Sequence, residues 1–207
     1  MNSLINDVKH LINSEVKNKV NTRIKEFTRI GKSNVDTIFK ELCFCILTAN
    51  FNAERSIKIQ RDINNGFLLL SEEELADKLK KLGHRYPKSR ARYIVRAREY
   101  KNLLEKVVKS HNEREIREWL VKNIKGIGYK EASHFLRNIG FKNLAIIDFH
   151  IIDLLSRYNL MGKPKSLSKR KYLEIEGLLR KIAEKVGVSL AELDLYLWYM
   201  ETGKILK

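Results

Sequence analysis

Two residues of this chain, Lys130 and Asp148, combine side-chain type with local setting in a way that could do chemistry. Lys130 stands in the first turn of a helical pattern that opens just after Lys125-Gly126-Ile127-Gly128. There the helix dipole and any burial disfavour an ammonium, which predicts an amine whose pKa is pulled down. A neutral amine is a nucleophile. At the anomeric carbon of a nucleotide it would displace the base and leave a Schiff base, through which the strand can be cut by elimination. That chemistry needs no metal, but it needs a carboxylate nearby to handle protons and to stabilise positive charge developing on the sugar. Asp148 ends the apolar run Leu144-Ala145-Ile146-Ile147 and is placed to cap the helix that follows. An aspartate there also serves as a purely structural cap, so residue types alone leave both readings open.

The glycines before Lys130 suggest what would hold a polyanion. Gly126 and Gly128 on either side of one aliphatic residue let the backbone turn sharply and approach a ligand, while Ile127 can pin the flanking helices together. Amides of the turn and of the next helix's first turn lack internal partners, and the dipole adds positive character. With Lys122, Lys125 and Lys130 around it, the turn reads as a phosphate site. An ordinary turn between packed helices has the same pattern, and hairpins of this kind also occur in proteins that hold DNA without altering it.

The elements that must position these groups read as helices throughout. With 2 Pro and 10 Gly in 207 residues, the chain offers a succession of amphipathic segments and no convincing strand. Leu4, Val8, Leu11, Ile12, Val16, Val20, Ile24 and Phe27 recur at helical spacing up to a stop at Gly31. A second helix starts near Ser33 or Asn34 and carries a broad apolar face including Phe39, Leu42, Cys43, Ile46 and Leu47. Ala53 to Asn64 is a shorter helix. Ser71 with Glu74 forms a capping box and Gly83 the matching stop. A long basic helix is expected from about Ser89, with Ile94, Val95, Tyr100, Leu103, Leu104 and Val107 inward. Further helices run from about Glu113 to Asn123, from Tyr129 to Ile139, after Asp148 and from Ser168 to Val186. The last opens at a second capping box, Ser189 with Glu192.

Composition bounds the setting. Lys and Arg number 41 against 25 Asp and Glu, a formal charge of +16, which attracts polyanions over a screening length of about 8–10 Å. Nucleic acid is the commonest intracellular polyanion, although Lys/Glu enrichment of the thermophile type also raises the basic count. Cys43 and Cys45, one residue apart in an apolar run, read as buried thiols of a reducing compartment and not as a disulfide or metal site. No stretch approaches the roughly 18 apolar residues of a membrane span, and the N-terminus lacks the pattern of a secretory signal. A soluble, intracellular protein is expected.

The block Gly126-Ile127-Gly128-Tyr129-Lys130, with Ile147-Asp148-Phe149-His150 downstream, resembles the helix-hairpin-helix plus Gly/Pro-rich loop and aspartate superfamily of DNA glycosylases. Cys43, Ile46-Leu47-Thr48-Ala49-Asn50, Gly83-His84-Arg85 with Tyr86, the hairpin through Asn138, and Asp194-Leu195-Tyr196-Leu197-Trp198-Tyr199 with a terminal lysine are similar to the type 2, archaeal and thermophilic bacterial form of 8-oxoguanine DNA glycosylase. The resemblance implies an all-α, two-lobed fold with DNA across a cleft. Its inner lobe would span about 32–141, with the hairpin at 119–139, and its outer lobe 1–31 plus 142–207. It implies that Lys130 is the nucleophile of a glycosylase that is also a lyase, and that Asp148 assists cleavage. It further implies that Tyr86 and Trp198 sandwich the flipped base and that the main-chain carboxylate of Lys207 reads oxidised guanine, whose N7 has become a donor. His134, one turn after Lys130, would line that pocket. Gly126, Ile127, Gly128, Lys125, Asn50, His150 and Arg85 would meet DNA. On residue type alone, Trp198 reads more readily as core and His134 equally well as a satisfied core histidine. Phe149 departs from the family, where a basic residue is usual between the aspartate and the histidine. No cofactor is expected: the four-cysteine cluster motif of related repair enzymes and zinc-ligand spacing are both missing. The expected partner is double-stranded DNA containing oxidised guanine, bound by a cytoplasmic monomer.

Overall fold

The structure, a computed structural model, describes residues 1–109 and 112–207 and contains helices and no strand among them. The N-terminal apolar series, expected as one helix, is split into α1 (Asn2–Ile12) and α2 (Val16–Gly31). Ser14 accounts for the break: its hydroxyl donates to Leu11 O at 2.8 Å and accepts from Val16 N–H at 3.2 Å, so a side chain replaces the helical ladder at that point. Leu4, Val8, Val16, Val20 and Phe27 are nevertheless all buried, because the two helices keep one apolar side facing the same core.

In α3 (Val35–Thr48) Asn34 is the cap, accepting from Thr37 N–H. Ile38, Phe39 and all residues from Glu41 to Thr48 are buried, which makes α3 the central helix. Around it stand α4 (Ala53–Ile63), the short α5 (Gly66–Leu69), α6 (Glu72–Lys81) and α7 (Pro87–Ala97). The Ser71/Glu74 capping box opens α6 as expected. The expected long basic helix is interrupted: α7 passes through a 3-10 turn at Arg98–Tyr100 into α8 (Lys101–Val108). At that turn the Arg98 guanidinium donates to Phe67 O at 2.8 Å and to Gly66 O at 3.4 Å, drawing the chain onto α5. Then come α9 (Glu113–Asn123), α10 (Tyr129–Asn138), α11 (Phe149–Arg157), α12 (Lys169–Val186) and α13 (Leu190–Thr202).

The buried apolar side chains fall into two clusters. One is built on α3 to α10 and reaches Leu144; the other joins α1 and α2 to Ala145, Ile147 and α11 to α13. Cys43 and Cys45 are free and buried in the first, and burial pushes both thiols up from their ordinary range. Among the described residues no helix is long and apolar enough to cross a membrane.

Candidate active site

The hairpin between α9 and α10 follows from its glycines. Gly126 has φ +88, and a Cβ there would come within 2.5 Å of the Tyr93 ring. Only glycine meets both demands without strain. Ile127 is 5% exposed and belongs to the inner cluster. Lys122, Lys125, Gly126, Ile127 and Gly128 line one groove together with Arg90 and Asn50. Two of the three lysines expected at a phosphate are thus gathered with the backbone of the turn, Lys130 lines a different cavity, and Arg90 is an addition that sequence reasoning missed.

Beyond the hairpin, every residue of α10 from Ala132 to Asn138 is buried. That packing leaves Lys130 in the first turn, its side chain 24% exposed, at the wall of a second cavity. Asp148 reaches the same cavity along a different route. The run Leu144–Ile147 is buried without forming a helix, so its backbone polar groups need partners. Two side chains of α12 supply them: Glu176 accepts Ala145 N–H at 3.0 Å, and the Tyr172 hydroxyl donates to Ala145 O at 2.7 Å and accepts Ile147 N–H at 3.3 Å. At the end of this fixed segment Asp148 caps α11, its Oδ1 accepting Ile151 N–H at 3.0 Å. The structural-cap reading is therefore correct as far as it goes. One oxygen suffices for the cap, so it does not compete with a role in the cavity.

The cavity measures about 800 Å³ and is also lined by Asn50, His134, Phe149, His150, Trp198 and Lys207. His150 meets Trp198 edge-on at 5.2 Å. Asn50 adopts φ +57 and lines both the cavity and the hairpin groove, marking where the two meet. His134 Nε2 and Trp198 Nε1 are buried and meet no hydrogen-bond partner among the described residues. A buried polar atom left so costs about 1–3 kcal/mol, a cost that a ligand with matching groups removes. Burial first, then the nearby charges of Arg137 and Lys130, holds His134 well below its ordinary pKa, so its imidazole is neutral.

Tyr86 and Arg85 are not brought to this cavity. Tyr86 is 37% exposed ahead of α7, with the guanidinium groups of Arg85 and Arg90 over its ring at 5.1 and 5.7 Å. His84 beside it is buried, its Nε2 3.1 Å from Leu47 O.

Several pairings at the site were not foreseen from sequence. Asp194 of α13 and Arg137 of α10 form a buried ion pair on the cavity wall; burial, opposed by Arg137, pushes Asp194 up to about 6. The Lys207 ammonium lies 2.8 Å from Glu41 of α3 and 4.5 Å from the centre of the Phe44 ring, and also meets Gln60. Glu131 pairs with Lys130 at 3.1 Å. The last had a signal, since an acid three residues after Gly128 is in capping-box register.

Comparison with known proteins gives the family. The family profile described as 8-oxoguanine DNA glycosylase matches residues 20–188. A protein of Korarchaeum cryptofilum named 8-oxoguanine DNA glycosylase/AP lyase is 54% identical, covering 100% of this chain and 99% of that one. Its namesake from Methanocaldococcus jannaschii is 56% identical over 99% of each. A crystal structure of the M. jannaschii 8-oxoguanine glycosylase/lyase with a 15mer DNA containing 8-oxoguanine superposes with a TM-score of 0.96 at 55% identity, covering 99% of this chain and 100% of that one. The Thermotoga maritima 8-oxoguanine DNA glycosylase superposes at 0.94 with 46% identity, over 100% and 99%. A hairpin with its lysine and a capping aspartate that share one cavity in an all-helical, two-lobed chain are thus set within full-length likeness, and the chain belongs to the 8-oxoguanine DNA glycosylase family.

Proposed function

We infer that this chain is a bifunctional DNA repair enzyme that removes 8-oxoguanine from double-stranded DNA and then cleaves the strand. The observation that carries the reading is the convergence of Lys130 and Asp148 on one cavity from two independently anchored segments. The hairpin at Gly126–Gly128, with Lys125, grips a backbone phosphate, and Asn50, His150 and Arg85 add contacts to the duplex. The damaged base is rotated out of the stack into the cavity. There Trp198 offers a face for stacking, while neutral His134 and the main chain of Lys207 face the edge that distinguishes the oxidised base. An acceptor toward N7–H favours 8-oxoguanine, because guanine carries no proton there. Tyr86, outside the cavity, would complete the sandwich only by closing over an inserted base.

The Lys130 amine attacks C1′. The bond from C1′ to the base breaks, and its electron pair leaves with the base. Opening of the sugar ring gives a protonated Schiff base, whose charge permits loss of a C2′ proton and expulsion of the 3′ phosphate by β-elimination. Asp148 stabilises the cationic sugar and exchanges protons with it. The work divides between an inner lobe of about residues 32–141 and an outer lobe formed by 1–31 and 142–207. The protein acts as a cytoplasmic monomer on chromosomal DNA.

Borohydride trapping on a duplex containing 8-oxoguanine tests this. The wild-type protein should form a covalent adduct, and Lys130→Gln should form none while still binding the duplex. Asp148→Asn keeps the cap, since Asn and Asp cap about equally well, and should lose about 10²–10⁴-fold in excision. An adduct retained in Lys130→Gln would overturn the assignment of the nucleophile.

A further inference from the structure

Residues adjacent in a helix do not ordinarily face each other, yet Glu131 Oε1 lies 3.1 Å from Lys130 Nζ. The cause is the other oxygen. Oε2 accepts the N–H of Gly128 at 3.2 Å, which turns the side chain back over the first turn of α10 and toward the amine. The carboxylate is only 15% exposed and lines both the cavity and the hairpin groove. It therefore stands between the phosphate grip and the reacting nitrogen, and it is tied to both.

We propose that Glu131 is a further catalytic residue, which holds the Lys130 amine in place from the hairpin backbone and accepts its proton before attack. The proposal rests on Lys130 being the nucleophile. In the step itself one proton passes from the ammonium Nζ to Oε1, so that an ammonium and a carboxylate become an amine and a carboxylic acid. No other bond changes. Asp148, whose Oδ1 is engaged in the cap of α11, keeps its other oxygen to meet the cationic sugar. The arrangement needs a carboxylate, because two acceptor oxygens serve two donors at once. A glutamine in its place has one acceptor. If that oxygen caps Gly128, the amide N–H₂ faces Lys130 and can take no proton from it.

Glu131→Gln separates the two roles. The measurements are thermal stability, affinity for a duplex carrying an uncleavable abasic-site analogue, and single-turnover excision of 8-oxoguanine with borohydride trapping. The expected result is unchanged stability and affinity with excision slowed about a hundredfold, within the usual range for a proton-transfer group. Excision at or above the wild-type rate would overturn the proposal. A loss of stability or affinity as large as the loss of rate would overturn it too, in favour of a cap alone. Failure of the functional reading is distinguishable, because it is read from the wild-type protein and Lys130→Gln: no adduct in the first, or a persisting one in the second.

Discussion

His134 is the residue whose behaviour follows most directly from its surroundings. It is buried on α10 between the cavity and the ring of Phe44, which meets it edge-on at 5.5 Å. Burial and the positive charges of Arg137, Lys130 and Lys207 all disfavour its protonation, with the backbone of Lys207 partly opposing them. Because the folded value lies well below 6.5, the unfolded chain binds more protons on this residue in the window beneath 6.5. Stability is therefore fully present above that window and falls as pH drops through it. His84, also lowered mainly by burial, adds a slope of the same sign. Asp194 has the opposite one: raised from 3.8 to about 6, it loses stability as pH rises between those values. Comparing His134→Gln with the wild type cancels both of the others. The variant's denaturation midpoint should fall less steeply below about pH 6.5, and parallel profiles would show that the imidazole is not held neutral. Neutrality would suit the role proposed for His134 at a base edge, where a cation would admit any acceptor.

At the scale of elements, the hairpin depends on a backbone conformation that sequence makes legible and on a neighbour that it does not. The spacing Gly126-Ile127-Gly128 announces a sharp turn, and the positive φ of Gly126 is that turn. That the Tyr93 ring on α7 closes over Gly126 is a tertiary fact with no local signal. Gly126→Ala therefore meets two penalties, a strained left-handed residue of about 1–2 kcal/mol and a clash with an aromatic ring. Denaturation should register a loss of at least about 1 kcal/mol, and duplex affinity should fall with it. Tyr93→Ala in the same background relieves only the clash. Recovery of full stability by that second change would mean that φ contributes nothing. Elsewhere, helix boundaries were readable wherever a cap wrote them, as with Ser71/Glu74, Asn34 and Ser189/Glu192. They were not readable at Ser14 or Arg98, where the apolar period runs on unbroken through a local rearrangement of hydrogen bonds. The candidate site followed the same rule. Lys130 and Asp148 stand beside local signatures, whereas Arg137, Asp194 and Glu41 act through partners distant in sequence.

Across the whole molecule, those distant partners share a pattern. Three buried or partly buried ion pairs each join a helix of the inner cluster to a segment of the outer side: Arg117 of α9 to Glu176 of α12, Arg137 of α10 to Asp194 of α13, and Glu41 of α3 to Lys207. The two apolar clusters are distinct, and beside the packing of α2 on α3 and α10 these pairs add directional contacts that constrain the angle between them. Arg117 is the most enclosed of these, 1% exposed, with bonds of 2.6 and 3.1 Å to the two Glu176 oxygens and the Tyr129 and Tyr172 rings near its guanidinium. Glu176 in turn accepts Ala145 N–H on the segment that delivers Asp148. Arg117→Met keeps most of the volume but strands the carboxylate apart from Arg180 at 3.9 Å, and removing one partner of such a pair costs about 3–5 kcal/mol. Denaturant unfolding should show that loss. The same variant should slow excision, although Arg117 does not line the cavity, because the stranded Glu176 no longer fixes the approach to Asp148. Were stability to fall by less than about 1 kcal/mol with excision unaltered, the pair would be a bystander, and the apolar contacts between the lobes would have to set their angle unaided.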